Sequence, residues 1–169
     1  MQVRACGWED LPVLDRDLPV AGGDVHRRHL ERQQAGERTY LGAFERDQAL
    51  GTCVVSWTGC REAELREAFP DAVEIAGLQV SDAHRGRGVG TALIQTGEHL
   101  AEEAGRSLLV IGVAEDNPRA AQLYRPLGYT DTGVRAVVRY EMHDAAGHRV
   151  QVTEHSRVLT KRLPATGRP

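Results

Sequence analysis

The stretch LQVSDAHRGRGVGTAL, residues 78–93, decides the fold because it joins three kinds of local structure in a row. Its first residues end a strand, its middle is rich in glycine, and its last residues begin a helix. Glycines let backbone N–H groups turn toward one point without Cβ atoms in the way. The helix N-terminus adds partial positive charge, and Arg85 and Arg87 add full charges. The stretch therefore predicts an anion site suited to a pyrophosphate.

Two common phosphate-binding motifs are excluded by the details of this loop. A Walker A motif would end in Gly-Lys-Ser/Thr, and this ending is missing. A dinucleotide fingerprint needs G-x-G-x-x-G spacing, whereas Gly86, Gly88 and Gly90 alternate with single residues. The remaining alternative is a glycine-rich surface turn. The preceding strand, the following helix and the two arginines favour a binding loop over that alternative.

The pattern of apolar residues and turn formers extends this prediction in both directions along the chain. Strands are predicted over 2–6, 39–45, 49–57, 72–80, 108–113, 129–143 and 149–163. Helices are predicted over 8–17, 24–34, 89–104 and 118–127, with Asp24 and Asn117 as N-caps of the second and the last. Residues 58–71 are a long polar connection with one helical turn, and Gly77 predicts a bulge or a close approach. We expect a turn over 144–147 and a disordered tail over 164–169.

The order of these elements indicates the fold class. Most strands follow one another as hairpins, but a helix crosses over between strands 72–80 and 108–113. The fold class is therefore α+β: a mixed, mostly antiparallel sheet of about seven strands flanked by about four helices, not a doubly wound parallel sheet.

Composition limits the function classes. A chain of 169 residues favours one domain, here 1–163, and a net charge of −3 without a basic tract does not indicate nucleic-acid binding. The three cysteines form no C-x-x-C motif, which favours reduced thiols over a disulfide framework or a zinc site. The start of the chain does not resemble a signal peptide, and no stretch approaches about 18 apolar residues. We therefore expect no membrane association and a cytoplasmic location.

Two motifs carry a resemblance to a known family. Arg85-x-x-Gly88-x-Gly90 resembles the Q/R-x-x-G-x-G/A signature of the GNAT superfamily of acyl-CoA N-acyltransferases. Residues 117–129 are similar to the second conserved block of that superfamily, N-x-x-A-x-x-L-Y-x-x-x-G-F/Y. The two blocks occur in the order found in the family, and the element order matches its fold along nearly the whole chain.

The resemblance implies acetyl-CoA as co-substrate and no metal. It implies that the end of strand 72–80, at Leu78, Gln79 and Val80, pairs with the pantetheine arm. The pyrophosphate would be held by backbone N–H groups of Arg85, Gly86, Arg87, Gly88, Val89, Gly90 and Thr91. Asn117 would bond the pantetheine amides, although a plain N-cap explains this residue equally well.

The resemblance also implies two catalytic residues. Tyr124 would protonate the leaving thiolate, and its alternative is an aromatic core residue on an amphipathic helix. Glu74, eleven residues before Arg85, resembles the general base of histone-type members. Its alternative is a glutamate at the start of a strand, still reached by water.

The histidines do not combine into a predicted site. His26 and His29 share a helix face, but no third metal ligand is evident, so we expect them on the solvated surface. His84, beside the glycine loop, is placed to contact phosphate. His143, His148 and His155 fall in the C-terminal hairpin, near where the acceptor pocket of the family closes.

The function that follows is N-acetylation by direct attack of an amine on acetyl-CoA, without a covalent enzyme intermediate. The connection 58–71 and the C-terminal hairpin are able to wall a closed pocket, which favours a small-molecule amine as acceptor. The alternatives are a protein N-terminal or lysine acetyltransferase, which needs an open groove, and an inactive acyl-CoA-binding sensor. The presence of Tyr124 and Glu74 argues against the sensor. A homodimer is left open.

Overall fold

The computed structural model describes residues 1–20, 23–143 and 148–164. The strands are β1 Gln2–Ala5, β2 Arg38–Glu45, β3 Gln48–Ser56, β4 Val73–Val80, β5 Leu108–Ala114, β6 Thr130–His143 and β7 Arg149–Arg162. The helices are α1 Leu11–Asp17, α2 Val25–Gln34, α3 Ala63–Ala68, α4 Val89–Glu103 and α5 Pro118–Tyr124. Short 3-10 turns occupy Trp8–Asp10 and Asp82–His84. Over the described ranges, no helix is long and apolar enough to cross a membrane.

The strands form one seven-stranded sheet in the order β1-β2-β3-β4-β5-β7-β6. Every neighbouring pair is antiparallel except β4 and β5, which are parallel because α4 carries the chain back to the start of β5. The mixed, mostly antiparallel sheet predicted from the sequence is confirmed.

The sheet is open between β4 and β5. In the described chain these strands pair only where Val73 faces Leu109 and Glu74 faces Val110. Beyond that point β4 continues beside β3, and β5 continues beside β7. The facing edges of β4 and β5 are therefore left without a strand partner, and an extended ligand can pair with them.

The predicted bulge at Gly77 is confirmed. Thr52 of β3 faces Gln79, but Val54 faces Ala76, so two residues of β4 oppose Cys53 alone. Gly77 has a φ of +60°, in the left-handed region that glycine enters without steric cost. A bulge bends the strand that carries it, and this one lies just beyond Glu74, the last residue of β4 that pairs with β5.

Helices cover both faces of the sheet. Leu93 of α4 and Tyr124 of α5 pack in one apolar cluster with Ile75 of β4. Leu14 of α1 and Leu30 of α2 pack in another cluster, on the opposite face. The third cluster, around α3, includes Val110, whereas its strand neighbours Leu109 and Ile111 belong to the first. This alternation confirms that β5 is buried on both faces.

Three local predictions need correction. The last helix is predicted to reach residue 127, but the α-helical hydrogen bonds of α5 end at Tyr124, because Pro126 has no N–H to donate and the next N–H, that of Leu127, bonds back to the Tyr124 carbonyl as a tighter turn at 3.1 Å. The Asp24 side chain does not cap α2 and instead pairs with Arg28 at 3.1 Å. The helical turn in the connection 58–71 is a separate helix, α3. The predicted turn 144–147 and residues 165–169 of the predicted tail lie outside the described residues.

Candidate active site

The glycine loop presents a run of free backbone donors. Gly88, with a φ of +80°, is the N-cap of α4, and the first helical N–H group with an acceptor is that of Ala92, which donates to the Gly88 carbonyl at 3.0 Å. The N–H groups of residues 86–91 donate to no acceptor within the described ranges. Unsatisfied N–H groups at a helix N-terminus bind anions. The loop therefore offers a row of free donors to an anion, and the assignment of that anion as the pyrophosphate stays a prediction.

The space in front of this loop is open. A Cβ atom placed on Gly88 would meet no atom of the described chain within 4 Å. The left-handed φ, rather than crowding within the protein, accounts for glycine at this position. A ligand can approach the N–H groups closely.

The two arginines of the loop already have acidic neighbours. Arg85 pairs with Asp82 at 2.6 Å, and Arg87 lies 3.8 Å from Glu45. Both guanidinium groups are more than half exposed, so water and salt screen these pairs. A phosphate would compete with the carboxylates for the arginines, and the backbone N–H groups are the better-defined part of the site.

Tyr124 is a core residue of the α5 helix, and its catalytic role stays a prediction. Its side chain is 5% exposed and packs in the core, where it meets the Tyr129 ring edge-on at 5.7 Å between centroids. Burial raises the pKa of the Tyr124 hydroxyl to about 12. Throughout the described part of the chain, no group hydrogen-bonds with this hydroxyl. The ring is fixed by packing, and its proton remains available to a ligand.

Glu74 is buried, with only 8% of its surface exposed. Its Oε2 accepts a hydrogen bond from the Arg61 backbone N–H at 2.8 Å. Burial raises the pKa of Glu74 above the usual carboxyl value, although the bond from Arg61 opposes this shift. The side chain is therefore not the water-exposed strand start of the alternative interpretation. Through the hydrogen bond from Arg61, Glu74 also holds the connection after β3 against β4. The sequence did not indicate this structural role.

Asn117 caps α5 as predicted. Its Oδ1 accepts a hydrogen bond from the Ala120 N–H at 3.1 Å. The amide nitrogen of the same side chain is left to bind another group. At the other wall of the opening, Leu78, Gln79 and Val80 are half-buried.

A comparison with known families decides the identity. Residues 8–129 match the model of the acetyltransferase (GNAT) family. The chain belongs to the GNAT acetyltransferase family. The resemblance carried by the two sequence motifs is thereby confirmed.

This GNAT chain is also similar to a named relative. The streptothricin acetyltransferase of Streptomyces lavendulae is 26% identical over 123 residues, which cover 73% of this chain and 60% of that protein. The match thus spans less than two thirds of the length of that relative.

Solved structures share the GNAT fold. The ribosomal-protein-alanine N-acetyltransferase of Brucella melitensis has a TM-score of 0.69 and 19% identity, over 96% of this chain and 100% of that chain. An N-acetyltransferase of Thermoplasma acidophilum in complex with coenzyme A has a TM-score of 0.67 and 14% identity, over 96% of this chain and 98% of that chain. At these identities the likeness establishes the fold.

The prediction that His26 and His29 lie on the solvated surface is wrong. His26 is 2% exposed, with Nδ1 at 2.6 Å from the Tyr40 hydroxyl and Nε2 at 2.8 Å from the Leu18 carbonyl oxygen. His29 accepts a hydrogen bond at Nδ1 from Arg38, at 2.9 Å. Burial, aided by the Arg38 charge, lowers the pKa of His29 to about 4. The face of α2 that carries both histidines packs on β2.

The other histidines have separate positions. His84 contacts Ser81, with Nδ1 at 3.0 Å from the hydroxyl oxygen. His155 is exposed on β7, opposite Val137, and the His143 side chain lies outside the described residues. Among the residues that the structure describes, no group of three or more His, Cys, Asp or Glu side chains is arranged to hold a metal ion.

A polar row beside Glu74 was missed by sequence reasoning. Arg38 of β2 faces Ser56 of β3, and Ser56 faces Glu74, so the three side chains project from one face of the sheet. Glu74 and Arg38 act on each other electrostatically. The residues come from three strands, and only the register of the sheet brings them together. No local sequence pattern would have indicated this row.

Proposed function

We propose that this GNAT acetyltransferase transfers an acetyl group from acetyl-CoA to the amine of a small molecule. The observation that carries the proposal is the run of free N–H groups at residues 86–91, beside the opening between β4 and β5. The run suits the pyrophosphate of coenzyme A, and the opening suits its extended pantetheine arm. The unpaired edge of Leu78–Val80 offers backbone groups to the arm, and the Asn117 amide nitrogen offers one more donor.

The chemistry we propose is direct attack. The amine nitrogen attacks the thioester carbonyl, the carbon–sulfur bond breaks, and the amine proton is lost. The Val80 N–H polarises the carbonyl oxygen, and Tyr124 donates its proton to the departing sulfur. The Tyr124 hydroxyl, whose pKa burial raises to about 12, carries its proton at neutral pH, which is the state a donor needs.

Glu74 is the proposed base. Amines are mostly protonated at neutral pH, so the acceptor must lose a proton before it attacks. The raised pKa of Glu74 brings its basicity closer to neutral pH, where a general base is most effective. The nearby Arg38 charge favours the ionised carboxylate that accepts the proton.

The proposal that the acceptor is a small molecule is supported by sequence similarity. The named relative acts on streptothricin, a small molecule, and its sequence is 26% identical over the matched region. The likeness to the ribosomal-protein-alanine enzyme is a likeness of fold at 19% identity and supports a protein acceptor less.

A panel of amines with detection of released coenzyme A thiol tests this function. Small amines and amino-terminal or lysine peptides are compared at equal concentration, and acetylated products are counted by mass spectrometry. We expect thiol release that depends on a small amine and matches the product one to one. Turnover with peptides alone would transfer the assignment to protein acetylation. Acetyl-CoA binding without turnover on any amine would indicate an inactive binding module.

A further inference from the structure

A second cleft lies at the C-terminal end of α5, and none of its lining residues belongs to the glycine loop. It has a volume of about 480 Å³, between the end of α5, the start of β6 and the floor formed by β7. Arg125, Tyr129, Asp131 and Arg157 line it, together with apolar side chains. Cavities of this volume accommodate small organic molecules.

Arg157, on the floor of the cleft, has a donor without an acceptor. Its Nε atom is buried and has no hydrogen-bond partner. Its guanidinium forms no ion pair with a carboxylate anywhere in residues 1–20, 23–143 and 148–164. The Nη atoms of the same guanidinium also have no acceptor among the described residues, and unlike Nε they are not fully buried, so a ligand oxygen in the cleft can accept hydrogen bonds from them.

The carboxylates near Arg157 are engaged elsewhere. Asp131 accepts hydrogen bonds from the Gly133 N–H at 2.8 Å and from Arg135 at 3.1 Å. Arg135 also pairs with Glu115 at 3.1 Å. The charge of Asp131 is thus offset by Arg135, although it still acts electrostatically on Arg157. The carboxylate does not meet the hydrogen-bonding need of Arg157.

Arg125 supplies a second cation at the rim of the cleft. It is exposed, follows directly on α5, and pairs with no acidic group of the described chain. Guanidinium groups bind carboxylate and phosphate oxygens with paired, charge-assisted hydrogen bonds. Val113, Leu159 and the Tyr129 ring offer apolar surface beside these groups. Together they suit an anionic head with an organic body.

We propose that this cleft binds a small organic anion, whose carboxylate or phosphate group is held by Arg157 and Arg125. This site shares no residue with the glycine loop, so the inference does not depend on the proposed acetyl transfer. A carboxylate and a phosphate ester present the same oxygen chemistry, and the two sources are separated by experiment.

Calorimetric titration with benzoate and with phenyl phosphate tests the proposal on the full chain. Saturating coenzyme A is added to occupy the glycine loop. Every variant retains that loop, so any residual binding of the probes to it would be the same in wild type and variants. We expect Arg157→Gln to weaken binding about tenfold or more, the loss of a hydrogen bond to a charged group. Arg125→Gln, at an exposed position, should weaken it less. Arg139→Gln removes an equal charge from exposed β6 outside the cleft and should leave binding unchanged.

Each result decides for or against the site. Binding of benzoate alone identifies a carboxylate ligand, and binding of phenyl phosphate alone identifies a phosphate ligand. The proposal is overturned when neither probe binds at concentrations up to about 0.1 M. It is also overturned when a folded Arg157→Gln variant binds the probes as tightly as wild type, or when Arg139→Gln weakens binding as much as Arg157→Gln, because general electrostatic attraction would then explain the effect. Unchanged binding in a folded Arg125→Gln variant would remove Arg125 from the site.

Discussion

Replacing Tyr124 with phenylalanine separates the two roles of this side chain. The ring is 5% exposed and packs against Tyr129, and phenylalanine keeps both the burial and this ring contact. Because no described group hydrogen-bonds with the hydroxyl, its removal breaks no bond within the fold. We therefore expect the free energy of unfolding to change by less than about 1 kcal/mol. Acetyl-CoA affinity should also stay unchanged.

Turnover should respond very differently. A positioned general acid contributes about 10²–10⁴-fold, which corresponds to about 3–5 kcal/mol of the activation barrier. We expect kcat to fall by this factor, measured as thiol release with a competent amine. A thioester with a better leaving thiol needs the proton less and should recover part of the loss.

Tyr129→Phe is the matched control. The Tyr129 hydroxyl is buried nearby and also lacks a hydrogen-bond partner among the described residues, and its burial, together with the nearby Glu98 charge, raises its pKa. We expect this variant to turn over at the wild-type rate. Full activity in Tyr124→Phe, or an equal loss in both variants, would show that Tyr124 only packs and that the mechanism is wrong.

Four further predictions follow from the same geometry. Gly88→Ala should weaken acetyl-CoA binding in calorimetry, whereas Gly105→Ala, at the similar φ of +70° in the loop after α4, should cost comparable stability and leave binding intact. Glu74→Gln should lower turnover most at low pH, where more of the amine is protonated, and an unchanged pH–rate profile would exclude Glu74 as the base. Because the pKa of Glu74 is raised, wild-type stability in urea should fall as pH rises through that pKa, and Glu74→Gln should remove this loss. His29, whose pKa is lowered to about 4, has the opposite effect on stability: the free energy of unfolding should fall by about 1–3 kcal/mol as pH drops from about 6.5 to 4. If the pH dependence of urea stability is the same in His29→Gln as in wild type, this prediction is refuted.

Local signals in the sequence were sufficient for the elements that build the binding loop. The glycines between β4 and α4, the Asn117 cap and the bulge at Gly77 each act within a few residues, and the structure has all three. The end of α5 differs from the predicted residue 127, because the missing N–H of Pro126 interrupts the helical hydrogen bonds before the apolar Leu127.

Features that depend on contacts between residues far apart in the sequence could not be predicted from local patterns. The burial of His26 depends on which face of α2 meets β2, and helical spacing alone does not fix that choice. The polar row of Arg38, Ser56 and Glu74 exists only through the strand register. The opening between β4 and β5 likewise arises because both strands find other partners.

A crystal structure with coenzyme A is the most direct test of the central claim, that the loop and the opening form the acetyl-CoA site. The account predicts pyrophosphate oxygens about 2.7–3.2 Å from backbone nitrogens of residues 86–91. It also predicts the pantetheine arm between β4 and β5, with the sulfur within hydrogen-bonding reach of the Tyr124 hydroxyl. Coenzyme A bound elsewhere, or a sulfur out of reach of Tyr124, would contradict it.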